Sequence, residues 1–290
     1  MKKLTLDEQK ILNLYISGLS TIRIAKEFKC CAATINKILH KHGIKLRTNK
    51  EYRTKYSFHH DFFSIIDTEE KAYWLGFMFA DGNVRKNKNQ SVIQIKVNDF
   101  EIIEKFIKSI NGNMSVKQYY NWTGKKISAI HLTSDRMYND LIKHGCVPNK
   151  SLILKFPDES IFADKSLIRH FIRGYFDGDG SATYSLYKRY SIRKKETVCK
   201  IKGCIQFIGT KNIVFSISKY LNWNTTIYKE KRNNSNTWYL SFSASDNINR
   251  FYHLLYDNAS IYLNRKKKKI EEIINYRRSE TIIGNPNLLD

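Results

Sequence analysis

Two aspartates stand in matching surroundings. Residues 73–82 read Tyr-Trp-Leu-Gly-Phe-Met-Phe-Ala-Asp-Gly and residues 171–180 read Phe-Ile-Arg-Gly-Tyr-Phe-Asp-Gly-Asp-Gly. Gly76, Asp81 and Gly82 thus each fall 98 positions before Gly174, Asp179 and Gly180. Both stretches read as apolar helices stopping at Asp-Gly. A carboxylate at a helix C-terminus faces the negative end of the macrodipole, and a second beside it adds like-charge repulsion. As structure alone, this is an unfavourable place for two acids. A divalent cation between them changes that. Hard oxygen ligands with open positions suit Mg²⁺, and a bridging ion can activate water and stabilise phosphoryl charge.

The same helices must bring the acids together. Gly76 and Ala80 are four apart, as are Gly174 and Gly178. Small residues at this spacing leave one smooth face on each helix, so two helices can approach almost backbone to backbone. Glycine inside a helix costs about 1 kcal/mol against alanine, and a close two-fold-related pair supplies a reason for it. Gly82 and Gly180 are expected to take the left-handed conformation that ends many helices.

The likeness continues beyond the helices. Ile93-Gln94-Ile95 matches Ile205-Gln206-Phe207, Asn111-Gly112-Asn113 matches Asn222-Trp223-Asn224, and Ser134-Asp135 matches Ser245-Asp246. The offset grows from 98 to 112 residues, so the second copy carries some 14 extra residues around Tyr187 to Lys202, themselves basic. Each copy reads helix, strand, strand, helix, strand, strand, helix. In 92–97, Gln94 and Lys96 oppose Ile93, Ile95 and Val97; in 200–207, Lys200, Lys202 and Gln206 oppose Ile201, Ile205 and Phe207; in 237–243, Thr237, Tyr239 and Ser241 oppose Trp238, Leu240 and Phe242. Such alternation describes half-buried antiparallel strands. The polar face is rich in Lys, Gln and Tyr and poor in acids, which favours a polyanion as its partner.

Composition agrees. Fifty Lys+Arg against 27 Asp+Glu leave the 290-residue chain at +23, an excess that calls for a polyanion, nucleic acid first and a membrane surface second. Hydrophobic residues at 42% and aromatics at 13% suffice for packed cores and exclude a disordered tail. No apolar run approaches the roughly 18–20 residues that span a membrane, and Met1-Lys2-Lys3 leads into an amphipathic segment instead of a secretion signal. A soluble intracellular protein is expected. The five cysteines lack metal-ligand spacing and read as reduced thiols, and the eight histidines read as surface or structural.

Residues 5–43 read as three short helices, the first opened by a Thr5/Glu8 capping box and stopped by Gly18. The stretch from Gly18 to Phe28, followed by Ala33-Thr34-Ile35, resembles helix-turn-helix DNA-binding domains. That likeness implies a third helix in the major groove, with Ala32, Ala33, Thr34, Asn36 and Lys37 facing DNA and Lys41, Lys45 and Arg47 on its backbone.

The paired motifs, joined to the duplicated αββαββα pattern, resemble the LAGLIDADG homing endonucleases in their single-chain, two-motif form, over roughly residues 67–276. The resemblance implies an α+β fold: a pseudo-two-fold saddle of two antiparallel sheets lying in successive major grooves of a long DNA target. It implies Mg²⁺-dependent cutting of both strands, with Mn²⁺ as a substitute for Mg²⁺, at metal positions matched by Asp81 and Asp179, with the adjoining Ala80 and Gly178 in the metal site. Phe79 stands where the motif has its first acid, kept as Asp177, and Arg173 replaces a small residue and is expected to point away from the helix pair. A lysine near each metal is implied as well. Lys150 is the candidate in the first copy, Lys266 or Lys267 in the second, with Gln94 and Gln206 near the active site or the bases. The DNA-facing set expected from alternation and charge is Arg85, Lys86, Lys88, Lys96, Lys117 and Tyr119 in the first copy. In the second it is Tyr184, Lys188, Arg189, Lys200, Lys202, Lys229, Lys231 and Arg232.

The expected organisation is a helix-turn-helix domain at 1–47, a linker at 48–66, repeats at 67–159 and 160–280, and a tail at 281–290. The chain then reads as a monomeric, site-specific endonuclease for double-stranded DNA. The alternatives are a group I intron RNA maturase, which needs the basic surface but not both acids, and a non-cleaving DNA-binding regulator.

Overall fold

The computed structural model describes residues 7–17, 19–46, 56–88, 90–192, 196–231, 236–278 and 281–282. Two compact units emerge, Met1–Tyr56 and Ser57–Asp290. In the first, α1 (Glu8–Ile16), α2 (Thr21–Glu27) and α3 (Ala32–Lys41) close over Ile11, Leu12, Tyr15, Ile24, Ile35, Ile38 and Leu39. Asp7 caps α1 by accepting from the Lys10 amide at 3.0 Å, and Ser20 caps α2 from Arg23 at 3.3 Å. Thr5, Gly18 and Arg47 lie outside the described residues.

The second unit is the tandem repeat. Its first copy runs α4 (Glu69–Ala80), β1 (Gly82–Asn87), β2 (Gln90–Val97), α5 (Phe100–Ser109), β3 (Lys117–Tyr120), β4 (Lys126–Thr133) and α6 (Asp135–Lys143). The second runs α7 (Ile168–Asp179), β5 (Gly180–Ser191), β6 (Glu196–Gly209), α8 (Lys211–Leu221), β7 (Thr226–Lys229), β8 (Trp238–Phe242) and α9 (Ser245–Tyr256), followed by α10 (Asn264–Arg278) and a short β9 (Thr281–Ile282). The sheets have the same strand order, β1-β2-β4-β3 and β5-β6-β8-β7, all antiparallel, with β9 added on β6. This is the α+β architecture that the LAGLIDADG resemblance implied. The extra residues of the second copy lengthen one hairpin: β5 and β6 have 12 and 14 residues where β1 and β2 have 6 and 8. No described helix is long and apolar enough to cross a membrane.

The helix pair α4/α7 is the spine. A Cβ on Gly76 would overlap the Phe171 carbonyl and lie 2.9 Å from the Tyr175 nitrogen; one on Gly174 would overlap the Tyr73 carbonyl and lie 2.9 Å from the Phe77 nitrogen. The two clashes are reciprocal, as a two-fold requires, and both strike backbone. Around this contact Tyr73, Trp74, Phe77, Phe79, Phe171 and Phe176 are fully buried.

Three expectations change. Gly82 and Gly180 are not left-handed, for neither is among the positive-φ glycines and Gly180 has φ −83° and ψ 165°. They open β1 and β5 directly, and a side chain there would strike the helix just left, within 2.7 Å of Met78 Cα or 2.5 Å of the Phe176 carbonyl oxygen. Arg173 does not point away: it is 0% exposed, pairs with Glu69 of α4 at 2.6 Å, and donates to the Ile261 and Leu255 carbonyls at 2.9 and 2.7 Å. Of the segment expected as linker, residues 57–66 pack into the body, with Phe62, Phe63 and Ile66 in its core.

Candidate active site and nucleic-acid interface

Helices α4 and α7 end together, and that shared end carries the acids. Asp81 caps α4, its amide donating to the Phe77 carbonyl at 2.9 Å, and Asp179 is the last residue of α7. A Cβ on Gly178 would lie 3.5 Å from Asp81 Oδ2 and would overlap Ala80 Cβ, so the Asp81 carboxylate sits against the last turn of the other helix. Only a bare glycine leaves that room. Both aspartates are half-buried, and among the described residues neither accepts a hydrogen bond or forms an ion pair. Burial raises both carboxyls above the ordinary range, with Lys266 and Lys150 opposing. Asp179 reaches about 6, because the neighbouring Asp81 charge adds to its burial.

Two lysines close the site from opposite copies. Lys150 opens a three-residue 3-10 turn, entered through Asn149 at φ +53°, and its ammonium donates to the Ala80 carbonyl at 3.0 Å and to the Gly82 carbonyl. Lys266, in the first turn of α10, donates to the Phe176 and Gly178 carbonyls at 2.6 and 2.9 Å. Ala80 and Gly178 are equivalent under the repeat, so each ammonium takes the matching carbonyl at its own helix end, where the dipole favours a cation. Lys267 goes elsewhere, over the Tyr262 ring at 4.3 Å. Lys266 is 5% exposed, and burial lowers its pKa to about 8 against the opposing charge of Asp177. Beside the acids lies a pocket of about 220 Å³ lined by Lys150, Tyr175, Asp179, Thr210 and Thr237.

The donor set suits a hard cation. It offers two carboxylates without donors of their own and the Ala80 and Gly178 carbonyls, which accept lysine but keep a second lone pair. No group of three or more His, Cys, Asp or Glu gathers among the described residues. A closed structural site is thereby ruled out among them, whereas Mg²⁺, which keeps waters and phosphate oxygens in its shell, fits.

Strand register sorts the expected DNA-facing residues. Directly paired residues share a face, so Asn83, Gln94 and His131 lie together, as do Lys96, Ala129 and Lys117. Arg85 and Tyr119 fall on that outward face as well; Lys86 alternates to the helix side, where its ammonium stands 5.9 Å from the Tyr138 ring centre. Lys88 is exposed in the turn after β1. Gln94 and Gln206 are equivalent, each opposite the residue after its glycine, Asn83 and Ser181. Gln94 is buried against His131, one of the histidines expected to be surface or structural; burial and the charges of Lys117, Lys96 and Arg85 lower the His131 pKa. Gln206 donates to the Tyr228 hydroxyl at 2.7 Å. In the second sheet Lys202 shares the Gln206 face. Tyr184, Lys188 and Lys229 alternate to the other side, Tyr184 lying under Lys269 of α10 at 4.0 Å. Lys231 is exposed after β7. Arg189 and Lys200 take their places in the backbone register; their side chains, and all of Arg232, lie outside the described residues.

On α3, Lys37 is exposed, Thr34 is 3.2 Å from Cys31 Sγ, and Asn36 keeps a buried Oδ1 without a partner. Lys41, expected on a DNA backbone, is ion-paired with Glu8 at 3.0 Å.

Comparison with known proteins adds the following. No family model matches the chain. It is 24% identical over 225 residues to the replication factor C small subunit of Methanocaldococcus jannaschii, a match spanning 76% of this chain and 10% of that protein. An uncharacterized protein of the same organism is 27% identical over 188 residues, spanning 61% of this chain and 64% of the relative. The chain therefore covers a tenth of one curated relative and just under two thirds of the other. Among solved structures, the LAGLIDADG meganuclease I-AabMI bound to uncleaved DNA is 14% identical, with TM-score 0.48 over 71% of this chain and 89% of that one. The homing endonuclease I-SmaMI bound to cleaved DNA is 15% identical, with TM-score 0.47 over 71% and 94%.

Proposed function

We propose that this chain is a LAGLIDADG-type, site-specific endonuclease for double-stranded DNA that hydrolyses one phosphodiester in each strand with divalent-metal help. One observation carries the reading: two aspartates, half-buried and side by side, whose carboxylates have no hydrogen-bond or ion-pair partner among the described residues, each with a lysine on the main chain of its own helix end. Asp81 and Asp179 would hold the cation with the Ala80 and Gly178 main chain, and Mg²⁺ bound there would polarise the phosphate and lower the pKa of water. Lys150 and Lys266 would orient water and neutralise charge as it develops on the phosphate. The outward faces bearing Arg85, Lys96, Lys117, His131 and Lys202 would grip the duplex, most of their bonds going to backbone phosphates. Because the two faces differ in sequence, the target would be asymmetric. The helical head would add affinity through a tethered second contact.

Incubating the protein with a randomised duplex library and Mg²⁺, then sequencing the ends, tests this. Discrete double-strand cuts at one long sequence are expected. Tight binding without cutting, across metals and salt concentrations, would refute it.

A further inference from the structure

The two halves of the site are not copies of one another. Asp177 stands where the first copy has Phe79. It is 1% exposed and accepts three hydrogen bonds, from the Tyr73 hydroxyl of α4 at 2.8 Å, the Tyr256 hydroxyl ending α9 at 2.8 Å, and the Leu263 amide at 2.7 Å. One turn earlier on α7, Arg173 holds the Leu255 and Ile261 carbonyls and pairs with Glu69, which itself accepts the Ser260 amide at 2.7 Å. Helix α7 and its partner thus fasten the stretch from 255 to 263, the approach to α10. Leu263 also starts the turn that bears the lysine, for its carbonyl accepts the Lys266 amide at 3.0 Å. The Lys150 turn has no carboxylate anchor of this kind, since Phe79 offers no polar group; among the described residues it is held by neutral donors of the other copy, Asn236 to the Leu152 carbonyl at 3.4 Å and the Thr210 hydroxyl to the Leu154 carbonyl at 2.5 Å.

We propose that Asp177, backed by Arg173, is a positioning residue for Lys266, so that the two strands of the duplex are served by unequal half-sites. Lys266 is held in place through this tether, and Lys150 is not. The unequal cutting rests on the nuclease reading above; the positioning itself does not. A carboxylate accepts all three bonds at once, whereas in asparagine only Oδ1 accepts, and the NH₂ facing Tyr256 makes that hydroxyl turn to accept and leaves the tyrosine proton without its acceptor.

Two measurements on the full chain test it. In the first, a lysine-acylating reagent is followed by mass spectrometry. Lys266 should be protected in the wild type, and Asp177→Asn should raise its modification about tenfold while Lys150 stays unchanged; a factor of ten corresponds to about 1.4 kcal/mol. Equal protection in both proteins would overturn the proposal. In the second, single-turnover cleavage of a duplex labelled on each strand is compared between variants. Lys266→Ala identifies the strand that depends on Lys266. Asp177→Asn should slow that same strand about tenfold, leave the other within about twofold, and leave DNA affinity unaltered. Slowing both strands alike, or neither, would overturn it. Tyr256→Phe removes one of the three bonds and should give the same bias in smaller measure, which keeps the test intact if the Asn variant does not fold. If the wild type cuts no duplex, the nuclease reading falls, and acylation alone decides the positioning role.

Discussion

Asp179→Asn should stabilise the protein that it disables. The folded-state pKa of Asp179 is about 6 against an ordinary 3.8, a rise caused by burial and by Asp81. At about 1.36 kcal/mol per unit, that difference of roughly two units corresponds to about 3 kcal/mol. The sign follows from linkage. A raised folded-state pKa means that the folded chain binds the proton more tightly than the unfolded one. Stability is therefore full below about pH 4, falls as pH rises through about 6, and is flat beyond. Asparagine carries no charge at any of these pH values and escapes the loss. In chelator at pH 7.5 the variant should be more stable by up to about 3 kcal/mol, on the order of 5–10 °C in the melting of the larger unit, and the two proteins should converge towards pH 4. Added Mg²⁺ should raise the wild-type melting temperature and close the gap, because it binds only the folded pair. Calorimetry at pH 4.5 and 7.5, with chelator and with Mg²⁺, reads all four conditions. A variant that melts at or below the wild type in chelator at pH 7.5 would refute the reasoning.

Other expectations follow from the same geometry. Gly174→Ala places a Cβ against the Tyr73 carbonyl and 2.9 Å from the Phe77 nitrogen, backbone on both sides, and should cost about 3 kcal/mol or more by denaturant titration. Arg173→Met takes the cation from the Glu69 carboxylate, leaving it the Ser260 amide, and removes this donor from two buried carbonyls, and should lower stability by about 3–5 kcal/mol in the same assay. Lys96→Ala and Lys117→Ala, on the outward face of the first sheet, should each reduce the slope of log affinity against log salt by about 0.9, whereas Lys86→Ala, on the opposite face, should leave the slope unchanged.

Much of this architecture is legible in the residues because the chain says everything twice. The spacing of Gly76 with Ala80 and of Gly174 with Gly178 specifies a backbone contact, and the reciprocal overlaps at Phe171 and Tyr73 realise it. Strand alternation locates Gln94 and Gln206 at equivalent rungs. What escapes a linear reading depends on neighbours distant in sequence. Gly82 looks like a helix stop, but its constraint comes from Met78 across a sharp helix-to-strand turn. Arg173 looks out of place in a packed helix until Glu69 and the 255–261 carbonyls surround it. Charge alone cannot say which lysines share a face, so Lys86, Lys188 and Lys229 are separated from Lys96 and Lys202 only by register. Between Lys266 and Lys267 one position decides, as a helix turns each residue about 100° from the last.

The central claim is that Asp81 and Asp179 together form the hydrolytic centre. It is tested most directly by strand-resolved cleavage of the selected target with the wild type, Asp81→Asn and Asp179→Asn, alongside DNA affinity in Ca²⁺. The account predicts Mg²⁺-dependent cutting by the wild type, its loss on both strands in either variant, and affinities within about threefold of one another, because neither acid lies on the outward sheet faces proposed to grip the duplex. Cutting at the wild-type rate by either variant would contradict it.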